Sequence, residues 1–278
     1  MRTTTRSGRM CLVAGESVID VERASAGRFP ADPLKVFEDW DAFRSWAAGR
    51  EESGREAPAG PDGGPSPTPR QVFAIGLNYR DHAEEAGLAA PDSLAVFTKF
   101  ATSLTGPDTR LTLPGDCVDW EAELVVVMGR RAEHVAADDA WSHVAGLSVG
   151  QDYSERAVQA AGPAPQFSLG KSFPGFAPTG PVLVTPDEFA DPDDLAIECL
   201  VNGESVQKSR TSSMIFPVPE LIARLSAVCP LLPGDLIFTG TPAGVGHART
   251  PRRYLSPGDE VVTRIEGIGQ LRQICVAS

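Results

Sequence analysis

The sequence predicts an α+β fold that is predominantly β, with a small N-terminal domain ahead of a large strand-rich one. Three observations lead there. After residue 70 of the 278, short runs rich in Val and Ile recur, turn chemistry separates them, and strands do not alternate regularly with helices as a doubly wound sheet requires.

In the N-terminal part, Asp32 and Pro33 read as the N-cap and first residue of a helix. Val36, Phe37, Trp40, Phe43 and Ala47 then recur at helical spacing, which is a core-facing stripe rather than an aromatic ligand box. Residues 50–70 are rich in Gly, Pro, Ser and charge with almost no large apolar side chain. They are expected to form a linker or long surface loop between a domain of residues 1–49 and one of residues 71–278. In the second domain, strands are expected at 71–75, 121–128, 181–185, 196–201, 236–239 and 260–266. Asn202-Gly203 marks a tight hairpin, and the Pro-Gly-Asp turns at 233–235 and 257–259 each launch another strand. Helices are expected after Asp152 and over 219–228.

Composition narrows the function classes. With 42% hydrophobic residues the chain can bury a full core. A net charge of −12 argues against nucleic acid and against an anionic membrane surface as partners. Cys11, Cys117, Cys199, Cys229 and Cys275 are odd in number and never form C-x-x-C, so neither a disulfide framework nor a zinc knuckle is indicated. The apolar run at 11–14 is too short for a signal-peptide core and no later run is long enough to span a bilayer, so a soluble, cytoplasmic protein is expected.

The acids carry the chemistry. In Asp119-Trp-Glu-Ala-Glu-Leu, strand alternation puts Glu121 and Glu123 on one face, which continues apolar through Val125 and Val127. Two like charges on a buried face repel until one takes up a proton, and a divalent cation removes that conflict. Taken alone, the pair fits an exposed strand end with solvated acids better than a metal site. Asp152 adds a third carboxylate after a strand-like run at 144–149, and the helix expected beyond it turns Arg156 and Gln159 toward the same side. With Glu155 three residues on, Asp152 also resembles a capping box, so a plain N-cap stays open as its role. Upstream, a short helical turn stopped by Gly87 places His82 and Glu85 at i and i+3, which is the arrangement of an oriented base or of a surface ion pair. His134, His143 and His247 have no such partner in sequence and read as structural or surface residues. The glycine-rich stretch 239–246 lacks the Lys-Ser/Thr ending of a phosphate loop and reads as a tight pocket-edge loop.

Several motifs occur in a fixed order: G-L-N-Y-R-D-H-A-E-E at 76–85, F-T-K-F at 97–100, D-W-E-A-E-L at 119–124, Q-D-Y-S-E-R-A-V-Q at 151–159, G-K-S-F-P-G-F-A-P-T-G-P at 170–181 and P-G-D-L-I-F-T-G-T-P-A-G-V-G at 233–246. As an ordered set they resemble the fumarylacetoacetate hydrolase family over nearly the whole body. The resemblance implies a mixed β-sandwich roll, a homodimer, and a Mg2+ or Mn2+ ion, with Ca2+ as a substitute, on Glu121, Glu123 and Asp152. All-oxygen carboxylate ligands suit those hard ions on chemical grounds as well. It implies His82 and Glu85 as a water-activating dyad, Lys171 as the group that steadies developing negative charge, and Tyr79, Arg156, Gln159 and Thr241 as substrate contacts. The expected reaction is hydrolysis of a carbon–carbon bond in a 2,4-dioxo acid such as an acylpyruvate. The alternative is decarboxylation or isomerisation of an oxo-diacid at the same site, and a non-catalytic binding scaffold is the third. Pro174, Tyr153 and Glu155 depart from the commonest family pattern, which bears on substrate choice rather than on the ligands or the dyad.

Overall fold

A computed structural model of the chain describes residues 1–15, 17–48 and 58–278. The expected strands are present at Val72–Gly76, Ala122–Met128, Ala177–Val184, Ala196–Val201, Leu236–Phe238 and Glu260–Ile265. Two large sheets form the framework. The first runs Ser17–Asp20, Arg9–Ala14, Arg2–Arg6, Ala177–Val184, Val144–Gln151, Ala122–Met128, Leu236–Phe238, Val72–Gly76, Ala95–Thr98. The second runs Glu204–Arg210, Ala196–Val201, Glu260–Ile265, Gly269–Ala277, Asp108–Leu113. One core joins them: Leu124, Val126, Leu147 and Val149 of the first sheet pack with Ile197, Cys199, Val261, Ile265 and Leu271 of the second. Burying apolar side chains from both inner faces is what holds two sheets together, and it makes the expected sandwich.

Local chemistry follows the sequence in most places. Asn202 and Gly203 both take positive φ, at 53° and 80°, as a two-residue hairpin between twisted strands requires. Asp32 caps Pro33–Phe37 by accepting from the Leu34 amide at 3.0 Å. That helix stops at Phe37 and a second begins at Trp40, so the aromatic stripe is divided over two short helices.

The N-terminal residues are built into the body. Arg2–Arg6 pairs antiparallel with Ala177–Val184, and Val36, Phe37, Trp40 and Phe43 share a second core with Val125, Val127 and Phe238. Of the segment expected as a linker, residues 50–57 lie outside the described residues. The rest is not a bare surface loop: Asp62–Gly63 pairs with Thr5 and Arg6, and buried Ser66 donates to the Gly234 carbonyl at 2.6 Å. Small side chains permit that close approach, and composition alone cannot separate it from solvation. All five cysteines are free, and no helix among the described residues is long and apolar enough to cross a membrane.

Candidate active site

Ala122–Met128 runs between the two cores. Ala122, Leu124, Val126 and Met128 enter the one shared by the sheets, while Val125 and Val127 enter the other. Glu123 therefore shares the face of Val125 and Val127, and Glu121 precedes it on that side, as the alternation predicts. In the neighbouring strand Val144–Gln151, Gln151 pairs with Ala122, and the Asp152 amide donates to the Glu121 carbonyl at 2.9 Å. This register gathers Glu121, Glu123 and Asp152, all buried, with one carboxylate oxygen of each within 4.8 Å of the others. Asp152 is no cap. Glu155 caps Arg156–Gln159 instead, accepting from the Val158 amide at 2.7 Å, which leaves the Asp152 carboxylate to the acid cluster.

Buried cations answer these acids. Lys171 donates to Glu121 and Asp152, each at 2.6 Å. The Arg156 guanidinium lies 2.6 Å from Asp119 and 2.7 Å from Glu121, and donates to Gln159 at 2.9 Å. Lys99 donates to the other Asp152 oxygen at 2.5 Å and to the Lys171 carbonyl. Burial pushes the Glu121 carboxyl up, but Lys171 and Arg156 outweigh it and hold the group down at about 2. Among the described residues Glu123 forms no such ion pair. Burial first, then Asp152 and Glu121, raises it well above the ordinary carboxyl range, with only the Gly240 amide donating to it at 2.8 Å. Glu121, Glu123, Asp152 and Asp119 thus face Lys99, Lys171 and Arg156, leaving one carboxylate in excess. Three converging oxygen donors and that uncompensated acid fit a hard divalent cation.

The dyad forms as the spacing predicts. Arg80–Glu85 is a short helix, and His82 Nδ1 stands 3.4 Å from Glu85 Oε2. Both Glu85 oxygens accept from the Gly244 amide at 3.0 Å. The Gly244 carbonyl in turn accepts from Trp120 Nε1 at 3.2 Å and from Arg249 Nη2 at 3.2 Å. Burial favours the neutral Glu85 acid, yet His82 and the Gly244 amide overcome it and keep the group below its usual value. The pocket-edge loop is therefore also the clamp that orients the dyad.

A cavity of about 650 Å3 opens over this assembly, with His82, Glu85, Glu121, Arg156, Gln159, Lys171 and Thr241 on its wall. The Thr241 hydroxyl donates to the Ala122 carbonyl and accepts from Gln207, both at 2.8 Å. Tyr79 is not brought to the wall. Its ring is fully buried in the main core, and its hydroxyl has no hydrogen-bond partner among the described residues. His247, read from sequence as structural or surface, does line the cavity, with its Nδ1 2.9 Å from the Tyr254 hydroxyl.

Asp119, Lys99 and Gly244 escaped the sequence reading, although each lies inside a motif quoted above. Asp119 is fully buried and accepts from the Gly246 and His247 amides at 2.7 and 2.9 Å as well as from Arg156. Lys99→Met should destabilise the protein by about 3 kcal/mol, since it removes one partner of a buried ion pair. Denaturant unfolding measures this, and an unchanged midpoint would show that Lys171 alone satisfies Asp152.

Comparison with known proteins agrees with this geometry. The family model for the fumarylacetoacetate hydrolase C-terminal domain matches residues 71–276. The mitochondrial oxaloacetate tautomerase of Bos taurus is 45% identical over 207 residues, which cover 74% of this chain and 66% of the relative's length. A Mycobacterium smegmatis protein of known structure is 55% identical with a TM-score of 0.97, covering 100% of both chains. The maleylpyruvate hydrolase of Sphingobium sp. SYK-6, solved with manganese(II) and pyruvate, is 26% identical with a TM-score of 0.81, again over 100% of both chains. The relative named as mitochondrial gives the cytoplasmic expectation no support. By its fold, its ordered motifs and the extent of these matches, the chain belongs to the fumarylacetoacetate hydrolase family.

Proposed function

We propose that the protein is a divalent-metal-dependent enzyme that interconverts the keto and enol forms of a small oxo-diacid of the oxaloacetate type. The observation that carries this is the His82–Glu85 pair on the wall of the same cavity whose floor holds Lys171 above three acids. The 45% identity to a named oxaloacetate tautomerase supports it. That match spans less than two thirds of the relative's length, so the activity is proposed for this chain and not carried over.

The reaction breaks one C–H bond at C3 and forms one O–H bond at the 2-oxygen, or the reverse, with no atom gained or lost. With Nδ1 turned to Glu85, Nε2 of His82 is the nitrogen left to take or give the C3 proton, and Glu85 balances the imidazolium that results. Lys171 and Arg156 bind the 1-carboxylate and oppose negative charge building on the 2-oxygen. A divalent cation on Glu121, Glu123 and Asp152 would take the place of the Glu123 proton and supply a further fixed positive charge that suits an anionic substrate.

Carbon–carbon hydrolysis of a 2,4-dioxo acid is the second reading, favoured by the likeness to a maleylpyruvate hydrolase. It uses the same dyad to activate a water. Metal-stripped protein, reloaded with Mg2+ or Mn2+, should speed the decay of the oxaloacetate enol absorbance without releasing carbon dioxide. Release of pyruvate from acetopyruvate would favour hydrolysis, carbon dioxide from oxaloacetate would make the protein a decarboxylase, and no turnover of either would remove the enzymatic reading.

A further inference from the structure

The cavity wall changes character from floor to rim. Its two acids are engaged, Glu121 with Lys171 and Arg156, and Glu85 with His82 and the Gly244 amide. At the rim the segment after Gly246 contributes His247, Arg249 and Arg252. Arg249 is fixed, donating to the Val206 and Gly244 carbonyls at 3.0 and 3.2 Å with its guanidinium 5.7 Å from the Trp120 ring. Arg252 is exposed and pairs with no carboxylate among the described residues. It lies close enough to His247 that, after burial and Arg156, it helps hold that imidazole below its usual value.

A basic rim stands out on a chain of net charge −12. Acids could have neutralised it, and they pair instead with arginines elsewhere: Arg253, the next residue, binds Glu204 at 2.7 Å. A four-carbon oxo-diacid is small beside the 650 Å3 cavity, whose wall runs from buried Lys171 to exposed Arg252. We propose that Arg252, backed by His247 and Arg249, is a second carboxylate subsite that selects oxo-diacids long enough to reach from the floor to the rim. This rests on the oxo-acid reading of the floor, and it narrows that reading to longer diacids. The other reading of Arg252 is a solvated surface charge with no ligand.

Calorimetric titration of the Mg2+-loaded protein separates them without needing turnover. The probes are oxalate, which reaches the floor only, 2-oxoadipate, and 2-oxohexanoate, which has the same length but lacks the distal carboxylate. The parent should bind 2-oxoadipate about fivefold to tenfold more tightly than 2-oxohexanoate, with the difference shrinking as salt rises. Arg252→Ala should erase the difference and leave oxalate affinity unchanged, and Arg252→Lys should restore part of it. Equal affinities in the parent, or a preference that survives Arg252→Ala, would overturn the subsite. Failure of oxalate to bind would count against the proposed floor chemistry instead, so the two readings fail separately.

Discussion

Glu123→Gln should abolish divalent-cation binding and lower turnover roughly a thousandfold, the several kcal/mol that a held cation contributes to an enolate-forming step, while the metal-free protein stays at least as stable as the parent. The reasoning starts from the side chain's surroundings. Glu123 is buried with no ion pair among the described residues, and its acid is held well above the usual 4.5 by burial, Asp152 and Glu121, which outweigh the nearby Lys171. Above that ordinary value the unfolded chain has lost a proton that the metal-free folded chain keeps. Stability of the metal-free protein therefore falls as pH rises beyond about 4.5, until the folded carboxyl itself ionises. Glutamine keeps the acceptor for the Gly240 amide and removes the charge conflict, so this slope should flatten. Thermal melts between pH 5 and 8, with chelator and with Mg2+, read both effects at once. A variant that still gained stability from Mg2+ would sink the three-carboxylate site.

Gly244→Ala is expected to cost about a hundredfold in kcat, at the lower end of what a positioned acid–base group contributes, and about 1–3 kcal/mol of stability from backbone strain. Gly244 has φ of +109°, a region that alanine adopts only under strain, and an added Cβ would collide with the Val206 carbonyl oxygen. The peptide must shift, and its amide is the one that holds both oxygens of Glu85. Metal affinity should stay unchanged, because the Gly244 amide bonds Glu85 and none of the three acids, which are placed by the strands Ala122–Met128 and Val144–Gln151. Kinetics beside a metal titration test the pair of claims, and an unaltered kcat in a folded variant would show that His82 needs no such orientation.

The parts of the site legible in the sequence are those fixed by spacing of a few residues. Alternation put Glu121 and Glu123 on one face, and the i, i+3 step joined His82 to Glu85. Asp152 was found for the right reason only in part: capping competed with ligation until the structure showed Glu155 taking the cap. Lys99 and Asp119 could not be found that way, because their partners Asp152 and Arg156 lie 53 and 37 residues on and meet them only through sheet pairing. The same limit explains the N-terminal part. A compositional break near residue 50 suggested separate domains, and no local pattern announces that Arg2–Arg6 will pair with Ala177–Val184. Tyr79 was placed by its nearness to His82 in a motif, and that nearness could not announce that the ring would be fully buried.

The pairing of Ala122 with Gln151 has a consequence for how the protein reaches its native state. A slip of one residue between these neighbouring strands would turn Glu123 from the face of Val125 and Val127 to the opposite one and part its carboxylate from that of Asp152, since side chains alternate with a period of two. A cation held as proposed on Glu121, Glu123 and Asp152 would therefore favour the aligned register over the slipped one, because only the aligned register brings the three carboxylates together.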